Sequence, residues 1–158
     1  TSIKIRLTKE KHKYNISYGS IKEEIGNREI NLKSISKAVI KIRKSKLPDT
    51  NLIGNCGSFF KNPVINKSKY FELKKKFPSI SGFKVEKNQY KVSAAWMIEF
   101  LKYKGKSIGN VGVYKNQALV LVNLGGATGK EVLSLANKIT SEVYSTFKIN
   151  LQPEVEIL

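Results

Sequence analysis

A chain of 158 residues carrying a formal net charge of +17 fits one domain, or one domain with part of a second, and can bury a core without staples. Its single cysteine, Cys56, excludes an internal disulfide, and no apolar run is long enough to span a membrane or to serve as a secretory signal, so the expectation is a soluble, cytoplasmic protein. The charge is lysine-dominated, with arginine only at Arg6, Arg28 and Arg43, and the aromatic-interleaved pattern of RNA readers is absent, which argues for solvated faces over a nucleic-acid interface. His12 as the only histidine and Cys56 as the only cysteine argue against a His/Cys metal site and a Ser-His-Asp triad.

In chain order, Ser2–Leu7 alternates Ile3, Ile5 and Leu7 against Lys4 and Arg6, the period of a half-buried strand. A polar loop follows to Lys13, then Tyr14–Ser20, with Tyr18 expected as a partly buried aromatic before a Gly-Ser turn. Ile35, Ala38, Val39 and Ile42 fall at helical spacing, which predicts an amphipathic helix over 34–45 capped by Ser34. Lys41, Arg43, Lys44 and Lys46 crowd its C-terminal end, where the helix dipole favours cations, before Leu47-Pro48 closes it. That end suggests a cationic lip for a phosphate-bearing ligand.

Gly54-Asn55-Cys56-Gly57-Ser58-Phe59-Phe60-Lys61-Asn62-Pro63 combines flexible backbone, a hydroxyl, two aromatics, a cation and an amide. If the segment is extended, Phe59 and Phe60 point to opposite faces and one anchors in the core, with Ser58 at a tight turn just before. A second helix is predicted over 66–77 with Asn66 as cap and Tyr70, Leu73 and Phe77 on one side. Residues 79–92 read as loop and short strands around Lys87-Asn88, and Ser93 caps a third helix over 94–101 whose Trp96 belongs to the core.

Gly105–Gly112 reads as a glycine-punctuated loop and Ala118–Val122 as a buried strand. Gly125–Lys130 fails as a phosphate loop twice: Leu124 stands where a glycine is needed, and Glu131 replaces the Ser or Thr after the lysine. Thr128 and Glu131 form a capping box instead, opening a long helix over 130–146 with Val132, Leu135, Ala136, Ile139 and Val143 buried. A last strand is predicted over 151–158, with Glu154 and Glu156 alternating against Val155 and Ile157. The fold class is therefore α+β, a mixed or antiparallel sheet packed against several helices.

Six ordered blocks carry a resemblance: Lys46-Leu47-Pro48-Asp49, the Gly54–Pro63 stretch, Ser93–Glu99, Gln117–Asn123, Gly125–Gly129 and Leu151–Val155. Together they resemble the C-terminal part of the UDP-N-acetylenolpyruvoylglucosamine reductases, flavoenzymes of peptidoglycan precursor synthesis. The resemblance implies an NADPH- and FAD-dependent oxidoreductase that reduces UDP-N-acetylglucosamine enolpyruvate to UDP-N-acetylmuramate. It implies Ser58 as proton donor to the reduced enolpyruvyl group and Glu154 as a carboxylate that helps polarise the intermediate. It also implies substrate contacts from Tyr18, Arg43, Lys46, Asn62 and Gln117, while the tyrosine that one branch places over the nucleotide is Phe83 here, with Tyr90 as the alternative.

The resemblance further implies that residues 1–48 are the remnant of an FAD-binding domain whose Gly-rich flavin-binding segments are missing, and 49–158 the substrate domain. The chain starts at Thr1 and its only methionine is Met97, which suggests a fragment or processed chain that lacks activity alone. Two other classes stand beside this reading: a non-catalytic UDP-sugar-binding module and a basic nucleic-acid-binding domain.

Overall fold

The computed structural model describes residues 2–157. The chain divides into two compact units, one through Ser45 and one from Lys46 onward. In the first, α1 (Ile21–Ile25) and α2 (Leu32–Lys46) enclose a small core of Ile21, Ile25 and Ala38, flanked by Ile16, Ile35, Val39 and Ile42. Lys41 pairs with Glu24 at 2.8 Å across these helices. The short helix α1 follows the Gly19-Ser20 turn and had no periodic signal of its own.

The helix predicted over 34–45 begins earlier, and its cap is Asn31, not Ser34. The Asn31 carboxamide accepts from the Ser34 amide at 2.9 Å, and the Ser34 hydroxyl accepts from the Asn31 amide at 3.0 Å. This reciprocal pairing satisfies two groups at the helix start and makes Ser34 the third residue of a capping box. The strand expected over Ser2–Leu7 is absent. The segment is irregular and Ile3, Ile5 and Leu7 are exposed, because a strand needs a ladder and the first unit contributes none among the described residues. Tyr18, expected to be partly buried, is 83% exposed just ahead of Gly19, with no core surface to cover it.

The second unit is α+β. A four-stranded antiparallel sheet is ordered β1-β7-β6-β5, from β1 (Gly54–Ser58), β5 (Ser107–Ile108), β6 (Val111–Val113) and β7 (Val120–Asn123). A three-stranded antiparallel sheet is ordered β2-β4-β3, from β2 (Val64–Asn66), β3 (Gly82–Glu86) and β4 (Gln89–Val92). Helix α3 (Lys67–Lys76) packs on β2 and β4, and α5 (Gly129–Phe147) packs on β6, β7 and α4 (Ala94–Phe100). The core between them holds Phe60, Met97, Ile98, Val120, Ile139, Val143 and Phe147.

Local chemistry sets the helix starts as expected. Asn66 accepts from Lys69 N–H at 2.8 Å, Ser93 from Trp96 N–H at 3.1 Å, and Thr128 with Glu131 closes the capping box of α5. Trp96 is half-buried in an aromatic cluster with Phe77, Phe100 and Phe147, a packing role. Gly82 is required by close approach, since a Cβ there would stand 2.9 Å from the Tyr70 ring and 3.0 Å from the Lys91 carbonyl.

Two strand and loop boundaries read from the sequence fail in this unit. The loop expected over Gly105–Gly112 contains the β5–β6 hairpin, whose two-residue first strand is too short to show a period. The strand expected over 151–158 reduces to one bridge between Phe60 and Pro153, because proline has no N–H to continue a ladder; Leu158 lies outside the described residues.

Tyr103 is buried and donates its hydroxyl to Glu142 Oε1 at 2.6 Å, pinning the segment after α4 to α5. Burial and then the neighbouring carboxylate push its phenol well above the ordinary value of 10.0. Tyr103→Phe is expected to destabilise the chain by about 1–2 kcal/mol in urea denaturation. A raised pKa contributes stability that is complete below the unfolded value and lost as pH climbs past it. The wild type should therefore lose stability above about pH 10 from this group, and Tyr103→Phe should lack that component.

Candidate functional site

Strand β1 carries a bulge immediately before Ser58. Gly54 pairs with Asn123, Asn55 with Val122 and Ser58 with Val120, so three steps on β1 oppose two on β7. The Asn55 carboxamide accepts from Gly57 N–H at 3.0 Å and donates to the Ile53 carbonyl at 3.2 Å, which folds the chain locally. Gly57 sits at φ +73, a conformation that glycine adopts freely. Bulges re-aim the side chain that follows. Ser58 emerges from this one exposed, and among the described residues its hydroxyl has no hydrogen-bond partner.

Beyond Ser58 the strand ends and the alternation of faces ends with it. Phe59 and Phe60, expected on opposite faces, are both buried, with ring centroids 5.0 Å apart in an edge contact. Phe59 donates its N–H to the Leu119 carbonyl at 2.8 Å and accepts from Glu154 N–H at 2.8 Å. Lys61 N–H donates to Gln152 O at 2.9 Å. Gln117 belongs to the turn entering β7: its carbonyl accepts from Val120 N–H at 3.1 Å and its side-chain oxygen from Leu119 N–H at 3.4 Å. One backbone frame thus holds Ser58, Gln117 and Glu154 on neighbouring segments. The Glu154 carboxylate is exposed and, among the described residues, unpaired.

Asn62 continues the same segment. Its carboxamide oxygen accepts from Ala94 N–H at 2.9 Å at the start of α4, and its NH₂ has no hydrogen-bond partner among the described residues. It lines a cavity of about 240 Å³ with Ser81, Gly82, Phe83, Lys91, Val92 and Ser93. Lys91 was missed in the sequence; its place between Tyr90 and Val92 on a short strand was the available signal. Phe83 is 62% exposed on this cavity. The Tyr90 ring is stacked on Tyr70 at 4.3 Å and does not line it.

Tyr18 and Arg43 belong to the first unit and Lys46 ends α2; all three are exposed. A larger cavity of about 760 Å³ is bounded by Cys56, Phe59, Thr128, Val132, Val155 and Ile157, among others, and includes neither Ser58 nor Glu154. Burial raises the Cys56 thiol above its ordinary range, so little thiolate is available for nucleophilic chemistry. At the start of α5, the Thr128 amide and hydroxyl hold the Glu131 carboxyl below its ordinary range. Among the described residues no cluster of His, Cys, Asp and Glu suits a metal, and no helix is long and apolar enough to cross a membrane.

The fold and site define a class: an α+β domain presenting a hydroxyl, a carboxylate and two carboxamides on neighbouring segments. The C-terminal domain of UDP-N-acetylenolpyruvoylglucosamine reductase matches residues 48–158. The chain is 47% identical over 161 residues to the UDP-N-acetylenolpyruvoylglucosamine reductase of Flavobacterium johnsoniae, covering 100% of this chain and 48% of that protein. It is 50% identical over 127 residues to that of Porphyromonas gingivalis, covering 80% of this chain and 38% of that protein. The chain belongs to the UDP-N-acetylenolpyruvoylglucosamine reductase family, and it spans about half the length of the relatives it matches.

Two substitutions test how the site is held. Gly57→Ala meets no steric obstacle, since nothing lies within 4 Å of the added Cβ, so its expected cost of about 1–2 kcal/mol in urea denaturation is purely conformational. Asn62→Ala should cost about 1 kcal/mol by stripping the α4 start of an acceptor, whereas Asn62→Asp keeps the acceptor and should remain within about 0.5 kcal/mol of wild type.

Proposed function

We propose that this chain is the substrate-binding and proton-donating part of a flavin-dependent reductase acting on UDP-N-acetylglucosamine enolpyruvate. The observation that carries the reading is the 2.8 Å hydrogen bond from Glu154 N–H to the Phe59 carbonyl, which fixes a carboxylate-bearing segment beside Ser58. Family membership supplies the substrate class, since the relatives are named for this reduction.

Ser58 is the proton donor in this reading. Its hydroxyl is free of protein partners among the described residues, so it engages a ligand without breaking an existing bond. A serine hydroxyl is a weak acid and needs donors and cations nearby to lower the cost of proton loss. Glu154, at the other side of the substrate, helps polarise the intermediate. Asn62 and Gln117 hold the sugar nucleotide through their carboxamides, and Phe83 covers the nucleotide by stacking alone, having no hydroxyl to donate. Tyr18, Arg43 and Lys46 contact the diphosphate, for which charge-assisted hydrogen bonds are the strong ones.

The glycine-rich helix start of α5 does not fit the phosphates of a flavin. The one glycine-rich helix start, at α5, is filled by its own Glu131 carboxylate, which accepts from Thr128 N–H at 2.7 Å where a phosphate would have to sit. In this reading FAD, and NADPH as its reductant, belong to an FAD-binding domain of which residues 1–48 are the end, with 49–158 as the substrate domain. Cytoplasmic location follows from the substrate class.

In a reductase that includes the flavin-binding part, Ser58→Ala should lower turnover by at least 10²-fold while leaving flavin reduction by NADPH within about twofold. Equal loss of both rates in stopped-flow absorbance would remove Ser58 from this role. The second reading, a UDP-sugar-binding module without catalysis, is favoured by the Glu131 carboxylate occupying the glycine-rich helix start of α5. Purified 158-residue chain should be colourless and bind the UDP-sugar in calorimetry; bound flavin absorbance would contradict the division of labour proposed here.

A further inference from the structure

Residues 67–91 contain eight lysines against two carboxylates, Glu72 and Glu86. The fold gathers them into one lobe, because α3 packs on β2 and β4, and β4 pairs with both β2 and β3. Compensation within the lobe is slight. Lys69 pairs with Glu72 at 3.0 Å, and the Lys74 ammonium donates to the Ile80 carbonyl at 3.0 Å. Among the described residues, Lys75, Lys84, Lys87 and Lys91 take part in no ion pair or hydrogen bond through their side chains. These lysines are therefore not compensated by partners within the lobe. What they produce is a positive potential over the surface around the Asn62–Phe83–Lys91 cavity.

We propose that this lobe is an electrostatic funnel for the anionic UDP-sugar, acting on the rate of its capture at the cavity beside Asn62. This rests on the substrate class given under Proposed function. Lys91 lines the cavity and is placed to meet a phosphate, whereas Lys75, Lys84 and Lys87 do not line it. Those three lysines therefore act through the field and not through contact. Screening limits the reach of such a field to about 8 Å at physiological ionic strength and extends it to about 30 Å at 0.01 M. Gains from steering run from about 10- to 10³-fold in association rate and fall steeply with salt.

The test uses the full 158-residue chain and its triple variant Lys75→Gln, Lys84→Gln, Lys87→Gln, with UDP-N-acetylglucosamine enolpyruvate as ligand. Association and dissociation rates are measured by stopped flow across salt concentrations, with circular dichroism to confirm that both proteins fold alike. At 0.01 M ionic strength the variant should associate about 5–10-fold more slowly with an unchanged dissociation rate. The gap should close at high salt, and uridine, which carries no phosphate, should show no difference between the proteins. Equal association rates at low salt, or a loss that persists at high salt and appears in the dissociation rate, would overturn steering while leaving the substrate assignment standing. Failure of the unsubstituted chain to bind the UDP-sugar under any salt condition would overturn the substrate assignment, and the funnel with it.

Discussion

The peptide unit of Phe59 is hydrogen-bonded on both sides, to Leu119 and to Glu154, and the candidate site depends on that double tie. Neither partner segment is local in sequence, and neither has a regular ladder at this point. The contact is held by burial: Phe59 and Phe60 are 4% and 2% exposed, and removing either ring would cost about 3–5 kcal/mol. Two adjacent aromatics in the core stop the backbone from sliding or rotating. The residue just before them, Ser58, inherits a fixed position without being buried itself.

This arrangement separates rigidity from chemistry. The rings and backbone hydrogen bonds supply the rigidity, while the Ser58 hydroxyl and Glu154 carboxylate stay exposed and without protein partners among the described residues. A hydroxyl in such isolation can engage a ligand without surrendering an internal hydrogen bond. The bulge at Asn55–Ser58 completes the device, because a regular strand would alternate faces on through Ser58. Gly57 at positive φ makes that bulge inexpensive, and the Asn55 carboxamide holds it in place.

What could be read from sequence follows the range of the interactions involved. Caps were legible at Asn66, Ser93 and Thr128-Glu131 because each is settled within four residues. Ser34 was misread for the same reason: its side chain does take part in a cap, but the decisive acceptor lies three residues upstream at Asn31. Strands were legible only where two neighbours cover them. Ser2–Leu7 has a strand's alternation but no ladder in the first unit among the described residues, and the β5–β6 hairpin forms without any alternation to announce it. At the site, Ser58 and Asn62 stood out by motif, yet the bond joining Glu154 to Phe59 has no local signature. Nor did the motif reveal that both phenylalanines are buried, since that follows from where β1 ends.

Asn62 links the two halves of the site. Its carboxamide oxygen is tied to the first turn of α4, and the next residue, Pro63, accepts from Val92 N–H at 2.9 Å. The chain therefore passes from the frame around Ser58 into the lysine-rich lobe within four residues, a span of at most about 14 Å when fully extended. The lobe is also joined to the rest of the unit through the core, where Tyr70, Leu73 and Val92 pack in one cluster with Phe59 and Phe60. A ligand held by the Asn62 NH₂ at one end and reaching the Ser58 hydroxyl at the other would be positioned by a single stretch of backbone. Orientation of that kind acts on the reacting end through a rigid connection, so small displacements at Asn62 appear directly as misplacement at Ser58.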